Sequence, residues 1–149
     1  MTLRDRITED MKAAMRAKAA ARLSTIRLLL AAIKQREVDE RTTLSDSDIV
    51  AVIDKMIKQR KESITQFVAG RRPDLADAER AELAILDAYL PQRMSEAEIG
   101  AAVGAAISSA RAAGATGPSL MGKVMAALKT ELAGRADMAQ VAATVKARL

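Results

Sequence analysis

Two clusters of residues carry what chemistry this sequence offers, and both are cationic. The first is Met121-Gly122-Lys123-Val124-Met125, followed by Gly134-Arg135-Ala136-Asp137. Met121, Val124, Met125, Leu128 and Leu132 recur at helical spacing and make one apolar stripe. Gly134 falls where a left-handed C-terminal cap belongs, and Asp137 opens the next helix. Lys123 lies off the stripe and Arg135 in the turn, so the two are expected to approach each other at one edge of a small helical unit and offer a place for an anion. The second cluster is Lys55, Lys58, Arg60 and Lys61 on one helix, followed by Arg71 and Arg72. Asp54 and Glu62 interrupt it. The competing readings are a solvated helix face and a phosphate-contacting surface.

Other sets are poorer in chemistry. Glu79 and Glu82 are three apart, but with no histidine beside them they read as surface charge rather than an acid/base pair. Ser108 and Ser109 with Lys123 invite comparison with a serine amidase, yet both serines sit in an alanine-rich helix without a glycine-rich nucleophile loop. Met121 and Met125 read as core filler. Gly122 needs a reason, because glycine inside a helix costs about 1 kcal/mol against alanine. Close approach of another backbone, a packed helix or a phosphate, supplies one. No catalytic set, no metal-ligand set and no cofactor are expected.

Composition narrows the function classes further. There is no cysteine and no histidine, which removes thiol nucleophiles, disulfides, imidazole bases and the usual zinc ligands. Phe67 and Tyr89 are the only aromatic residues, and alanine, leucine, isoleucine, valine and methionine supply nearly all the apolar half, a balance that favours helices. If nucleic acid binds, the scarcity of aromatic platforms argues against stacking on single strands and for recognition of a folded RNA by backbone and shape. The N-terminus lacks the apolar core of a signal peptide and no stretch is long enough to span a bilayer. The expectation is therefore a soluble, cytoplasmic protein without a membrane partner.

The elements that must position these residues follow from periodicity and caps. The pattern predicts a helix from a Thr2 cap to about Lys18 and a second over about Ala20 to Glu40. A third is capped by Ser45 with Asp48 and stopped by Gly70, and a fourth is capped by Asp74 and closed by Pro91. Pro91 to Met94 reads as a linker. Ser95 with Glu98 caps a fifth helix; Gly114, Gly117 and Pro118 precede a sixth, and the seventh runs from Asp137 to Leu149. The net charge is +5, and acids and bases are both dense before Met94 and sparse after it. The resulting expectation is an all-α protein: an N-terminal four-helix domain over residues 1–93, then a small three-helix domain over residues 94–149.

These residues also carry a family resemblance. The run Arg27-Leu28-Leu29-Leu30-Ala31-Ala32-Ile33-Lys34, then Lys55 to Ser63, then Leu86-x-x-Tyr89-Leu90-Pro91, then Met121 to Met125 and Gly134 to Asp137 resembles the YqeY family from end to end. The resemblance implies a two-domain helical protein similar to the tail of GatB, a subunit of the glutamine-dependent aminoacyl-tRNA amidotransferase, and to a domain appended to some glutaminyl-tRNA synthetases. In those proteins the tail binds tRNA, so the resemblance implies tRNA-contacting roles for Lys123 and Arg135; Gly122 and Gly134 stand with them as candidate nucleic-acid-binding residues of the same hairpin. It also implies a synthetase or amidotransferase as protein partner. The family's label of carbon-nitrogen ligase with glutamine as amido-N-donor implies, as an alternative, a component acting with partner subunits. No nucleophile elbow and no phosphate-cradling glycine loop stand in this chain to do that chemistry alone. The leading expectation is a non-catalytic tRNA-binding accessory module; a protein-interaction adaptor is the further alternative.

Overall fold

The computed structural model describes residues 1–132 and 134–149, and among these the chain is all helical. Seven helices succeed one another: α1 Leu3–Arg16, α2 Ala20–Glu40, α3 Asp46–Ala69, α4 Pro73–Asp87, α5 Glu96–Ala112, α6 Pro118–Leu132 and α7 Met138–Arg148. Contacts group them into two compact units, Met1–Leu90 and Pro91–Leu149.

Local chemistry starts most of these helices. Thr2 with Asp5, Ser45 with Asp48 and Ser95 with Glu98 form reciprocal capping boxes at α1, α3 and α5, each satisfying two backbone donors that a helix start leaves open. Asp137 caps α7 by accepting from the Ala139 N–H at 3.0 Å. At α4 the expected cap is wrong. Pro73 occupies the first turn and Arg72 the cap position, while Asp74 lies inside the helix, paired with Arg72 at 3.0 Å. Proline fits there because the first-turn N–H it lacks would have no partner anyway. Gly114, Gly117 and Gly134 all take positive φ, at 90°, 59° and 72°, so the breaks read from glycine are real backbone reversals. Lys18, Arg41 and Arg71 also adopt positive φ after α1, α2 and α3, where a cation faces the negative end of the helix dipole.

In the first unit Ile7 from α1, Ile26, Leu29 and Ile33 from α2, Ile53 and Ile57 from α3 and Leu86 from α4 are fully buried together. Alternation at three and four residues puts these side chains on the inward face of each helix. Among the polar links that fasten α1 to the rest of this unit, two involve partly buried groups. Glu37 accepts from the Leu44 N–H at 2.8 Å and pairs with Arg4; the Leu44 bond, with help from Arg4, holds its carboxyl below the usual range. Tyr89, only 4% exposed, donates its hydroxyl to Asp10 at 2.6 Å, under the Arg6 guanidinium 5.0 Å from the ring centroid.

Burial, followed by the Asp10 bond and its charge, pushes the Tyr89 phenol well above its ordinary value. The folded state therefore keeps a proton that the unfolded chain releases above about pH 10. The associated stability is fully present below that pH and is lost as pH rises, at up to about 1.4 kcal/mol per pH unit. Tyr89→Phe should flatten this alkaline limb in denaturant titrations between pH 9 and 11. At pH 7 it should cost about 1.5–3 kcal/mol, the range for a hydrogen bond to a charged group.

The second unit is built from smaller side chains. Val103, Val124, Leu128, Leu132, Val141 and Val145 are fully buried, with Ile99, Ile107, Ala115 and Leu120 around them. The inward stripe of α6 is thus Leu120, Val124, Leu128 and Leu132, at strict spacing of four. Met121 and Met125, read as part of that stripe, lie at its edge and are partly buried. Arg148 closes the far side by donating to the Gly100 carbonyl at 2.9 Å. A Cβ on Gly100 would stand 3.2 Å from its guanidinium, tighter than usual, and one on Gly104 3.4 Å away, at ordinary contact, so both glycines lie under the Arg148 side chain.

Candidate nucleic-acid interface

Each candidate cation can now be placed on its helix. On α3, Lys55, Lys58 and Lys61 are exposed, and two of the four candidates, Lys58 and Arg60, are paired with acids. Lys58 pairs with Asp54 at 3.5 Å. Arg60 turns inward with only 14% of its side chain exposed and bonds Glu82 of α4 at 3.2 Å, so it is a bundle contact rather than a surface cation. That pair also disposes of a Glu79/Glu82 acid pair, since Glu82 is taken. Lys55 lines a groove of about 600 Å3 between α2 and α3 whose opposite wall carries Asp39 and Glu40. A phosphate entering there would meet two carboxylates beside the Lys55 ammonium and the Arg36 guanidinium, the latter already paired with Glu40. Of the four α3 candidates, Lys61 alone is exposed with neither an ion pair among the described residues nor a place on that acidic groove.

In the second unit the structure separates residues that spacing seemed to unite. Lys123 sits in the first half of α6 and Arg135 beyond its last residue, Leu132, so about 14 Å of helix rise lie between the two positions. No shared hydrogen-bond or ion-pair partner among the described residues joins them. Arg135 is also committed structurally: its Nε donates to the Gln92 carbonyl at 3.2 Å, and its own carbonyl accepts from the Met94 N–H at 2.9 Å. This two-way clasp ties the segment before α5 to the α6–α7 turn, and sequence reasoning missed it. Its only trace was the paired placement of Arg135 after a capping glycine and of a polar Gln92 after Pro91.

Lys123 is exposed and lines a shallow groove with Ser109, Glu131 and alanines of α5 and α6. Ser109 and Lys123 therefore share a surface, but no hydrogen bond joins them, and a nucleophile needs its base within about 3 Å. Gly122 next to Lys123 is exposed, and a Cβ built on it meets nothing within 4 Å. Of the two reasons read for this glycine, a packed helix or a phosphate, the first finds no neighbour within that distance among the described residues.

The comparison with known families bears on the whole chain. The model of the Yqey-like protein family matches residues 4–149. The chain belongs to that family. It is 43% identical over 102 residues to the altered inheritance of mitochondria protein 41, mitochondrial, of Lachancea thermotolerans, covering 65% of this chain and 54% of that protein. The protein of the same name from Pyrenophora tritici-repentis is 32% identical over 126 residues, covering 83% of this chain and 70% of that one. The Kluyveromyces lactis protein is 40% identical over 84 residues, covering 56% and 45%. The Yqey-like chain spans about half the length of most of these relatives. Their names place them in mitochondria, a compartment the sequence alone did not bring forward. No helix among the described residues is long and apolar enough to cross a membrane.

Proposed function

We propose that this Yqey-like protein is a non-catalytic accessory module that engages folded tRNA through backbone contacts, beside an enzyme of tRNA-dependent amidation or aminoacylation. The observation that carries this reading is the bare surface at Gly122. A helical glycine that touches nothing is a standing cost of about 1 kcal/mol with no return inside the fold, and the adjacent Lys123 supplies the charge that a polyanion backbone approaching that surface would meet. The four-helix and three-helix halves then act as two small domains, the second resembling the tRNA-binding tail of GatB.

The test uses two readouts of opposite sign. Gly122→Ala should stabilise the protein by about 0.5–1 kcal/mol, because the added methyl relieves backbone entropy without a clash. The same methyl intrudes on the approaching backbone and should weaken tRNA binding about tenfold, or about 1.4 kcal/mol. Thermal melts and fluorescence-anisotropy titrations of a tRNA transcript read the two effects. A variant that melts higher and binds unchanged would show that nothing docks at Gly122, and equal affinity of the wild type for tRNA and random duplex would remove the reading itself. The carbon-nitrogen ligase alternative draws less from the geometry, since Ser109 and Lys123 share only an open groove without a hydrogen bond between them.

A further inference from the structure

The largest block of uncompensated charge lies elsewhere. From Met11 to Arg36 the chain holds seven cations, Lys12, Arg16, Lys18, Arg22, Arg27, Lys34 and Arg36, and not one Asp or Glu. Outside that stretch the nineteen acids outnumber the remaining seventeen bases (24 less these seven), so the whole positive balance of the protein resides in the end of α1 and in α2. Three of the seven have acidic neighbours. Lys12 pairs with Glu9 at 3.4 Å, Arg36 with Glu40 at 3.1 Å, and Arg22 lies 3.9 Å from Asp10. Arg16, Lys18, Arg27 and Lys34 are exposed and enter no ion pair among the described residues. Lys34 is one turn from Glu37, but that carboxylate is already engaged by Arg4 and the Leu44 N–H.

The geometry of α2 aligns two of them. Thr25, Ile26, Leu29 and Ile33 mark its buried face. Arg27 and Lys34 are seven residues apart, so they return to one strip about 10.5 Å apart along the axis, on the side away from that core. Ser24 and Ala31, exposed on the same side, keep the relief between them low. Lys18, in the left-handed turn just before α2, and Arg16, at the end of α1, extend the positive end of this surface.

We infer that the outer face of α2, with Arg16, Lys18, Arg27 and Lys34, is a second polyanion-binding surface, and that its ligand is the phosphodiester backbone of a folded RNA. This rests on the RNA reading proposed above and moves the electrostatic contribution of the first unit from α3, where neighbouring acids compensate the cations, to α2. A phosphate lattice fits better than an anionic membrane. Lipid docking relies on large apolar side chains inserted beside the cations. On this surface Met15, Leu28 and Val38 are the large exposed apolar side chains, Met15 beside Arg16, Leu28 beside Arg27 and Val38 at the far end by Asp39 and Glu40, so they are scattered singly rather than gathered into an insertion wedge. The absence of an aromatic residue from the face removes base stacking as well.

The full chain is titrated with a tRNA transcript across a range of salt. Compared are the wild type, a quadruple variant Arg16→Gln/Lys18→Gln/Arg27→Gln/Lys34→Gln, an α3 control Lys55→Gln/Lys58→Gln/Lys61→Gln, and Lys123→Gln. Glutamine removes the charge while keeping an unbranched polar side chain of similar helix propensity, and circular dichroism verifies the fold of each. The α2 variant should lose at least tenfold in affinity and about three units of the log K against log salt slope, at about 0.7–0.9 per lost phosphate contact. The α3 control should change less than about twofold. An α2 variant with unchanged slope, while Lys123→Gln weakens binding, overturns this inference and leaves the RNA reading standing. A wild type that shows no preference for tRNA overturns both. Binding to phosphatidylserine-containing vesicles that the α2 variant loses, with tRNA binding intact, would assign the face to a membrane surface and overturn it too.

Discussion

Leu128→Ala is expected to unfold the second unit selectively. Leu128 is fully buried at the centre of the α6 stripe, among Val103, Val124, Leu132, Val141 and Val145, and no aromatic residue contributes to that core. Truncating a buried leucine costs about 2–5 kcal/mol, the transfer loss plus the cavity that the surroundings fail to fill. At about 0.05–0.15 kcal/mol per residue, a unit of about 60 residues has only about 3–9 kcal/mol to lose. One substitution therefore removes much of its stability. Hydrogen exchange read by mass spectrometry should show protection lost across α5, α6 and α7 and retained in α1 to α4. Leu128→Met, which conserves volume, should cost less than about 1.5 kcal/mol and leave the pattern unchanged. Equal loss over all seven helices would mean that the chain unfolds as one cooperative body.

The features of this fold that sequence reading captured are those decided within a few residues. The Ser45/Asp48 and Ser95/Glu98 capping boxes need only the cap residue and the residue three on, and both formed as read. Gly134 and Gly114 announce chain reversals because glycine enters positive φ at no steric cost, whereas the positive φ of Lys18, Arg41 and Arg71 leaves no such mark in the sequence. What was not legible depends on long-range partners. Nothing local says that Arg60 reaches Glu82, because helical spacing places it on a flank and its long side chain can lie toward water or toward a neighbouring helix. Tyr89 and Asp10 are 79 positions apart, so their bond leaves no periodic mark. The α6 stripe failed differently. Met121 and Leu120 are consecutive, about 100° apart on the helical wheel and both bordering its apolar arc, and apolarity alone does not choose between them; the structure buries Leu120 and leaves Met121 partly exposed.

The candidate site shows the same division. Exposed cations were found by type and count, but what each faces is a tertiary property. The α3 cluster looked richest because its residues are consecutive, yet a dense run of one sign on a helix tends to draw compensating acids, here Asp54 one turn away, Glu82 from α4 and the Asp39/Glu40 wall of α2. Phosphate contact depends on charge left over after such pairing, and consecutive position is a poor guide to it.

This distinction separates the two cations of the α6–α7 region, whose replacement should give different signatures. Lys123 makes no hydrogen bond or ion pair among the described residues, so Lys123→Ala should leave the melting temperature unchanged within about 1 °C for a change under about 0.2 kcal/mol. It should weaken tRNA binding about fivefold to tenfold and reduce the salt slope by about one unit, as expected when one phosphate contact disappears. Arg135 is held to Gln92 through its Nε, so Arg135→Ala removes a structural bond together with a charge, at about 0.5–1.5 kcal/mol of stability. Arg135→Lys separates the two: it keeps the charge but loses the planar donor that reaches the carbonyl. If Arg135 contacts phosphate, the lysine variant should melt like the alanine variant and bind RNA nearly like the wild type. If instead its role is to hold the segment before α5 in place, both variants should lose stability together and neither should change the salt slope. A melt and a salt titration of the three proteins decide between a guanidinium that meets the ligand and one that fastens the frame on which Lys123 is displayed.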